Sequence, residues 1–195
     1  EINLPTPLQE IESEVMSEIL WKKKILKNSI FGRFDIHFDD NFYYYITSEG
    51  FLVKGDLGGG QEIWKKEISN SFSAGLGHSF RTLFAASSDG DVFALDDENG
   101  ELKWQASVNT EVLSPPVANG RIVAVQSVDG RITALDFKTG EYKWEYLAVI
   151  PQLTLRGTSE PYFSNNMLFI GFANGNLAMI DPDSGVVRWE IPMTL

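Results

Sequence analysis

Four Gly-x-x-x-Trp motifs, ending at Trp64, Trp104, Trp144 and Trp189, recur at intervals of 40, 40 and 45 residues and limit what this chain can fold into. Their glycines are Gly60, Gly100, Gly140 and Gly185, and four residues before each stands an aspartate: Asp56, Asp96, Asp136 and Asp181. Further upstream each copy carries an acidic or amide residue followed by glycine, at Glu49-Gly50, Asp89-Gly90, Asp129-Gly130 and Asn174-Gly175. A period of this length marks an array of one supersecondary unit.

Within each unit, short apolar runs alternate with turn signals, as at Arg121 to Gln126, Arg131 to Asp136 and Glu141 to Tyr146 in the third copy. Such runs read as strands. Asp-Gly or Asn-Gly between two strands supplies the positive φ of a tight hairpin, and an aspartate opening a turn accepts hydrogen bonds from that turn's own amides. A four-stranded unit of about 40 residues cannot bury both faces alone, so neighbouring units stack face to face, as in a β-propeller. The tryptophan column then fills the gap between blades. Because every column recurs in every copy, the Trp, Asp and Gly positions read as architecture and not as catalysis. The fold class is all-β, with four four-stranded propeller blades.

Composition narrows the function. A net charge of −11 and a pI near 4.6 argue against nucleic acid, which demands a basic footprint, and against a grip on anionic lipid. The one basic cluster, Lys22, Lys23, Lys24 and Lys27, reads as lysines guarding an exposed strand edge. With no cysteine, a disulfide framework, a thiolate nucleophile and a Cys-ligated zinc are excluded within these residues. No apolar run is long enough to span a membrane, and Glu1-Ile2-Asn3-Leu4-Pro5 reads as a mature or trimmed start.

The pattern Ala-Leu-Asp-x-x-x-Gly-x-x-x-Trp, intact at Ala94 to Trp104 and Ala134 to Trp144, resembles the tryptophan-docking repeat of quinoprotein-dehydrogenase-like propellers, whose rings are usually eight-bladed. Within that group, Ile150-Pro151-Gln152-Leu153-Thr154-Leu155-Arg156-Gly157-Thr158-Ser159-Glu160-Pro161 is similar to a segment of the BamB family of outer-membrane protein assembly lipoproteins. Leu4-Pro5-Thr6-Pro7-Leu8 and Leu20-Trp21 also resemble that family's N-terminal strand. The resemblance implies the first half of an eight-bladed ring. Residues 1–24 would hold a ring-closing strand around Trp21, which lies 43 residues before Trp64. The blades would occupy about 25–68, 69–108, 109–147 and 158–195, with an inserted inter-blade loop at 148–157. Four blades alone leave two open aromatic faces, so the chain is expected either to self-associate or to be continued by further blades.

The departure from symmetry points to function. Trp104 to Pro116 spans 12 residues and Trp144 to Pro161 spans 17, so five extra residues lie between Trp144 and Ser159. A surface loop placing Ile150, Leu153 and Leu155 beside Arg156 has the composition of a binding hot spot. It could equally fold back over the blade edge. The family resemblance implies that Leu153, Leu155 and Arg156 contact the POTRA domains of the barrel protein BamA at the periplasmic face of the outer membrane. Family members are lipid-anchored through a cysteine absent from this chain, and the acidic residues that assist the contact lie beyond Leu195.

Two other readings compete. A quinone-dependent dehydrogenase shares the repeat, but needs a complete cofactor funnel and usually adjacent cysteines; neither a cofactor nor a metal is expected here. A propeller binding unfolded peptides by β-augmentation would need an open strand edge. His37 and His78 are isolated in sequence and read as strand or loop histidines, Gly58-Gly59-Gly60 lacks the lysine of a phosphate loop, and Asp39-Asp40 and Asp96-Asp97 read as solvated turn carboxylates.

Overall fold

Apolar runs of five or six residues, broken by turns that glycine or asparagine can enter, fold as antiparallel meanders. A computed structural model of the chain describes residues 17–25, 36–47, 49–68, 72–149, 151 and 158–193. Blade 1 comprises β1 (His37–Phe38), β2 (Phe42–Ile46), β3 (Phe51–Asp56) and β4 (Glu62–Glu67). Blade 2 is β5 (Gly77–Ser79), β6 (Thr82–Ala86), β7 (Asp91–Asp96) and β8 (Leu102–Ser107). Blade 3 is β9 (Val117–Ala118), β10 (Ile122–Gln126), β11 (Arg131–Asp136) and β12 (Tyr142–Leu147), and blade 4 is β13 (Tyr162–Ser164), β14 (Met167–Gly171), β15 (Asn176–Ile180) and β16 (Val187–Pro192). Each sheet pairs its strands in chain order, and there is no helix among the described residues. This is a β-propeller arrangement of four blades.

Burial follows from stacking. Middle strands lie between two neighbouring blades, so β6 and β10 are buried along their whole length and are apolar except for Thr82 at the start of one and Gln126 at the end of the other. Outer strands meet a neighbour on one face only. In β8 and β12 the tryptophan alone is buried, and exposed polar or charged residues flank it, Lys103 and Gln105 in the one, Lys143 and Glu145 in the other. Apolar clusters fill each seam: Leu52, Leu83 and Leu95 between blades 1 and 2, Phe84, Trp104 and Val123 between 2 and 3, and Ile132, Trp144 and Leu168 between 3 and 4. Truncating a buried tryptophan in such a seam costs about 3–5 kcal/mol.

A bulge recurs opposite the tryptophan in every blade, between Lys54 and Gly55, Ala94 and Leu95, Ala134 and Leu135, and Met179 and Ile180. It leaves one residue unpaired on the outer strand: Ile63, Lys103, Lys143 or Arg188. The three cations turn back to the aspartate of their own hairpin, Lys103 to Asp96 at 3.1 Å, Lys143 to Asp136 at 3.0 Å and Arg188 to Asp181 at 2.6 Å. These pairs clamp the turn that receives the neighbouring tryptophan.

The two end faces differ. Tyr43, Tyr45 and Val53 of blade 1 are buried with Trp21 and Ile25 packed against them. Residues 17–25 join no strand ladder among the described residues and are held there by side chains: Lys23 Nζ donates to the Tyr43 hydroxyl at 3.2 Å and pairs with Glu62 at 2.9 Å. On the far face of blade 4, Phe169, Leu177, Met179 and Trp189 are half-buried, whereas their blade 3 equivalents Ala124, Ile132, Ala134 and Trp144 are buried.

Candidate functional site

The junction of blades 3 and 4, where the repeat lengthens, is the candidate site. Leu153, Leu155 and Arg156 lie outside the described residues, so the structure defines their surroundings through the two ends of the insertion. At its start the chain follows the common path. The Ala148 amide donates to the Gly130 carbonyl at 3.1 Å, as Ile68 does to Gly50 and Val108 to Gly90. Val149 then leaves that path, 85% exposed beside Leu147 at 54%. Its carbonyl accepts from Asn174 Nδ2 at 2.8 Å. At the return, Ser159 Oγ donates to the Gly171 carbonyl at 2.7 Å, and Gln126 Nε2 donates to the same carbonyl at 3.0 Å. Pro161 is buried and β13 begins.

The ground under the insertion is tied across the seam. The Tyr146 hydroxyl donates to Glu190 Oε2 at 2.7 Å, and Asn176 Nδ2 donates to Oε1 at 2.7 Å. Burial, and then the Glu190 carboxylate, push the Tyr146 phenol up to about 12, while the bonds from Asn176 and Tyr146 hold Glu190 below the usual carboxylate range. Arg131 pairs with both Asp129 and Glu145, balancing one of these two acids near the first end. The junction therefore presents the exposed apolar side chains of Leu147 and Val149 on a hydrogen-bonded, net acidic blade edge, an arrangement suited to binding.

The repeat residues sit at the seams. Trp21 Nε1 donates to the Leu57 carbonyl at 2.7 Å, Trp64 to Glu98 at 2.9 Å, Trp104 to Phe137 at 3.0 Å and Trp144 to Pro182 at 2.8 Å, each reaching a carbonyl of the following blade. The indoles lie on Gly60, Gly100, Gly140 and Gly185, whose φ values of about +70° close the hairpin and whose missing Cβ makes room for the ring. Trp189 docks on no blade among the described residues. Asp96, Asp136 and Asp181 accept amides of their own turns through Oδ1, and Asp56 accepts the Gly59 amide through Oδ2.

The seam between blades 1 and 2 holds a cluster that reading along the chain does not reveal. His37 and His78, far apart in sequence, meet edge to face with ring centres 4.9 Å apart. His78 Nε2 lies 3.0 Å from Asp97 Oδ2. Asp97 is 8% exposed, not solvated as its place in a turn suggested, because its side chain points into the seam. Lys54, 7% exposed, donates to the Asp97 carbonyl at 2.9 Å with its ammonium 4.1 Å from the centre of the Phe42 ring. Burial, and then the charge on His78, lower the His37 pKa. With Asp39, Tyr44, Arg81 and Glu98, Lys54 and Asp97 line an open recess of about 360 Å³. The signal lay in the columns: Lys54 stands where other blades have Ala94, Ala134 and Met179, and Asp97 where they have Leu57, Phe137 and Pro182. Among the described residues, no group of three or more His, Asp or Glu side chains is arranged to hold a metal ion.

Comparison with known proteins follows the same lines. A family model described as outer membrane protein assembly factor BamB matches residues 48–195. Over 171 residues the chain is 33% identical to the outer membrane protein assembly factor BamB of Nitrosomonas eutropha, covering 88% of this chain and 41% of that protein. It is 35% identical over 147 residues to the BamB of Bordetella pertussis, covering 75% and 38%, and 33% identical over 199 residues to that of Escherichia coli, covering 95% and 50%. The chain thus spans half or less of the length of these relatives. Among solved structures, BamB from Moraxella catarrhalis superposes with a TM-score of 0.76 at 22% identity, covering 81% of this chain and 48% of that one, a likeness of fold.

Proposed function

Because the chain belongs to the family of outer membrane protein assembly factor BamB, we propose that it is a non-catalytic protein-binding scaffold that works in outer-membrane protein assembly on the periplasmic side of the outer membrane. Its partner in this reading is the POTRA region of BamA, and its contact surface is the inserted loop at 148–157, with Leu153 and Leu155 as apolar anchors and Arg156 as the charged one.

The observation that carries the reading is the lengthened junction between blades 3 and 4. Spacing is 12 residues from Trp104 to Pro116 and 17 from Trp144 to Pro161, and the extra residues leave and rejoin a blade edge on which Leu147 and Val149 are already exposed. A repeat that needs only to stack has no use for such a loop, whereas a binding surface needs apolar side chains held clear of the core.

The test is pull-down and titration of a POTRA-domain fragment of BamA with Arg156→Ala and with the double variant Leu153→Ala, Leu155→Ala. Hot-spot truncation costs about 2 kcal/mol or more, a loss of roughly thirtyfold in affinity. Urea unfolding of the same variants is expected to stay within about 0.5 kcal/mol of the parent chain, because loop substitutions away from the core cost little. Undiminished binding in both variants overturns the reading.

A further inference from the structure

We infer that Asn174, with Ser159 and Gln126, is a positioning residue that fixes the two ends of the insertion and so sets how the binding loop is presented. The inference rests on the reading of that loop as the contact surface.

Three departures from the repeat converge at this junction. In the turn between the second and third strands, the column before glycine reads Glu49, Asp89 and Asp129 in blades 1 to 3 and Asn174 in blade 4, the blade that follows the insertion. A carboxylate and an amide serve the turn equally. Asp129 Oδ1 accepts the Arg131 amide at 3.2 Å, and Asn174 Oδ1 accepts the Asn176 amide at 2.9 Å. What an ionised carboxylate cannot do is donate. Asn174 Nδ2 donates at 2.8 Å to the Val149 carbonyl, at the point where the chain leaves the common path.

The return end is built from the other two departures. At the last position of the second strand, blades 1 and 2 carry Ile46 and Ala86, blade 3 carries Gln126 and blade 4 carries Gly171. The Gln126 amide bridges the seam: its Nε2 donates to the Gly171 carbonyl, and its Oε1 lies 3.3 Å from Ser159 Oγ, whose single proton goes to the nearer Gly171 carbonyl. A Cβ on Gly171 would stand 3.3 Å from Ser159 Oγ, so a bare backbone leaves the hydroxyl room to donate to the carbonyl. Each substitution removes an apolar or acidic residue that served the repeat and replaces it with a group that holds the insertion. Blades 1 to 3 meet at junctions without an insertion and keep Glu49, Asp89 and Asp129 at that turn.

The test uses Asn174→Asp, which keeps the shape of the side chain and its capping oxygen but sets an anionic oxygen against the Val149 carbonyl and beside the Glu190 carboxylate; the comparison is therefore made in a Glu190→Gln background, which removes the second carboxylate. Asp89→Asn, the reverse change at the same turn of blade 2, is the control. Because the chain has no cysteine, Thr154→Cys gives a single site for a nitroxide label, while affinity for the POTRA fragment is measured on unlabelled protein. In Asn174→Asp, and more strongly with Ser159→Ala added, the spectrum is expected to report faster label motion, and affinity to fall about five- to tenfold, the worth of one lost hydrogen bond. Melting temperature should match that of the Asp89→Asn control. Lowering the pH through the ordinary aspartate range, near 4, should slow the label again in Asn174→Asp, since a protonated carboxyl can donate; a merely structural defect would not recover. Label motion identical in Asn174→Asp and Asp89→Asn overturns the inference. If the parent chain fails to bind POTRA domains but the label still loosens, the positioning role stands and the proposed partner falls. If the parent binds and Asn174→Asp binds equally well, the partner stands and the positioning role falls.

Discussion

Gly140→Ala should be among the most damaging single-methyl changes in the molecule. The residue has a φ of +73°, and an added Cβ would lie 2.6 Å from Trp104 Cε3 and 2.8 Å from Cδ2. Forcing alanine into left-handed backbone costs about 1–2 kcal/mol. The methyl is borne on backbone fixed by the Gly140 amide's bond to the Asp136 carbonyl at 2.9 Å, so the indole must give way. Lifting it breaks the Trp104 Nε1 bond to the Phe137 carbonyl at 3.0 Å, worth about 1 kcal/mol, and opens a seam in which Trp104 is buried. Together with part of the 3–5 kcal/mol that a buried tryptophan contributes, the loss should be about 3–5 kcal/mol, or roughly 10 °C in melting temperature for a chain of this size. Gly59→Ala is the control: it is exposed, its φ is outside the left-handed region, and its Cβ would meet nothing closer than 3.5 Å. That variant should stay within about 0.5 kcal/mol of the parent. In a Trp104→Ala background, Gly140→Ala should cost only the backbone share, about 1–2 kcal/mol. Coincident melting of Gly140→Ala and Gly59→Ala, or an undiminished cost in the Trp104→Ala background, refutes the docking argument.

Two further outcomes follow from the electrostatics. The lowered His37 pKa means that the folded chain takes up this proton less readily than the unfolded chain. Its contribution is therefore fully present above the unfolded value of about 6.5 and is lost as pH falls through the lower folded value; urea midpoints should decline from pH 7 towards pH 5, and His37→Gln should flatten that decline. Glu62, held down by Lys23, Asp136, held down by Lys143, and Asp181, held down to about 2 by Arg188, contribute stability that is lost at more acidic pH, so their loss is separable from that of His37. Tyr146→Phe should cost about 1 kcal/mol by deleting the 2.7 Å bond to Glu190, and a double-mutant cycle with Glu190→Gln should recover most of that as coupling; independent, additive effects would show that the pair is not coupled across the seam.

The architecture was legible because each repeated residue answers a local requirement that sequence displays. A glycine at +70° is needed wherever the hairpin closes, an aspartate wherever the turn's amides need an acceptor, and a tryptophan wherever the next blade offers a bare backbone. The lengthened junction was legible too, since insertion is a matter of counting between Trp144 and Pro161. What holds its ends was not. Asn174 and Gln126 look like ordinary turn and strand residues until the Val149 and Gly171 carbonyls are seen beside them, and those contacts span 25 and 45 residues.

Asp96 and Asp97 show where reading along the chain fails. They are adjacent in one turn and chemically identical, yet Asp96 caps the turn and pairs with the exposed Lys103, while Asp97 is buried against His78 beneath Lys54. Successive side chains in a turn point different ways, so hydrophilicity alone assigns both to solvent. Reading down the columns separates them: Asp56, Asp136 and Asp181 match Asp96, whereas Leu57, Phe137 and Pro182 match Asp97. A charge at a position that three other blades keep apolar must find a partner or lose several kcal/mol to desolvation, and the Asp97 carboxylate finds His78 of its own blade at 3.0 Å. The same comparison identifies Lys54 among Ala94, Ala134 and Met179, and the two meet, ammonium to carbonyl, across the seam between blades 1 and 2. In a repeat protein, then, the identity of a column measures what stacking requires, and a departure from it marks a residue whose partners lie outside the column, as His78 does for Asp97 and the Asp97 backbone carbonyl for Lys54.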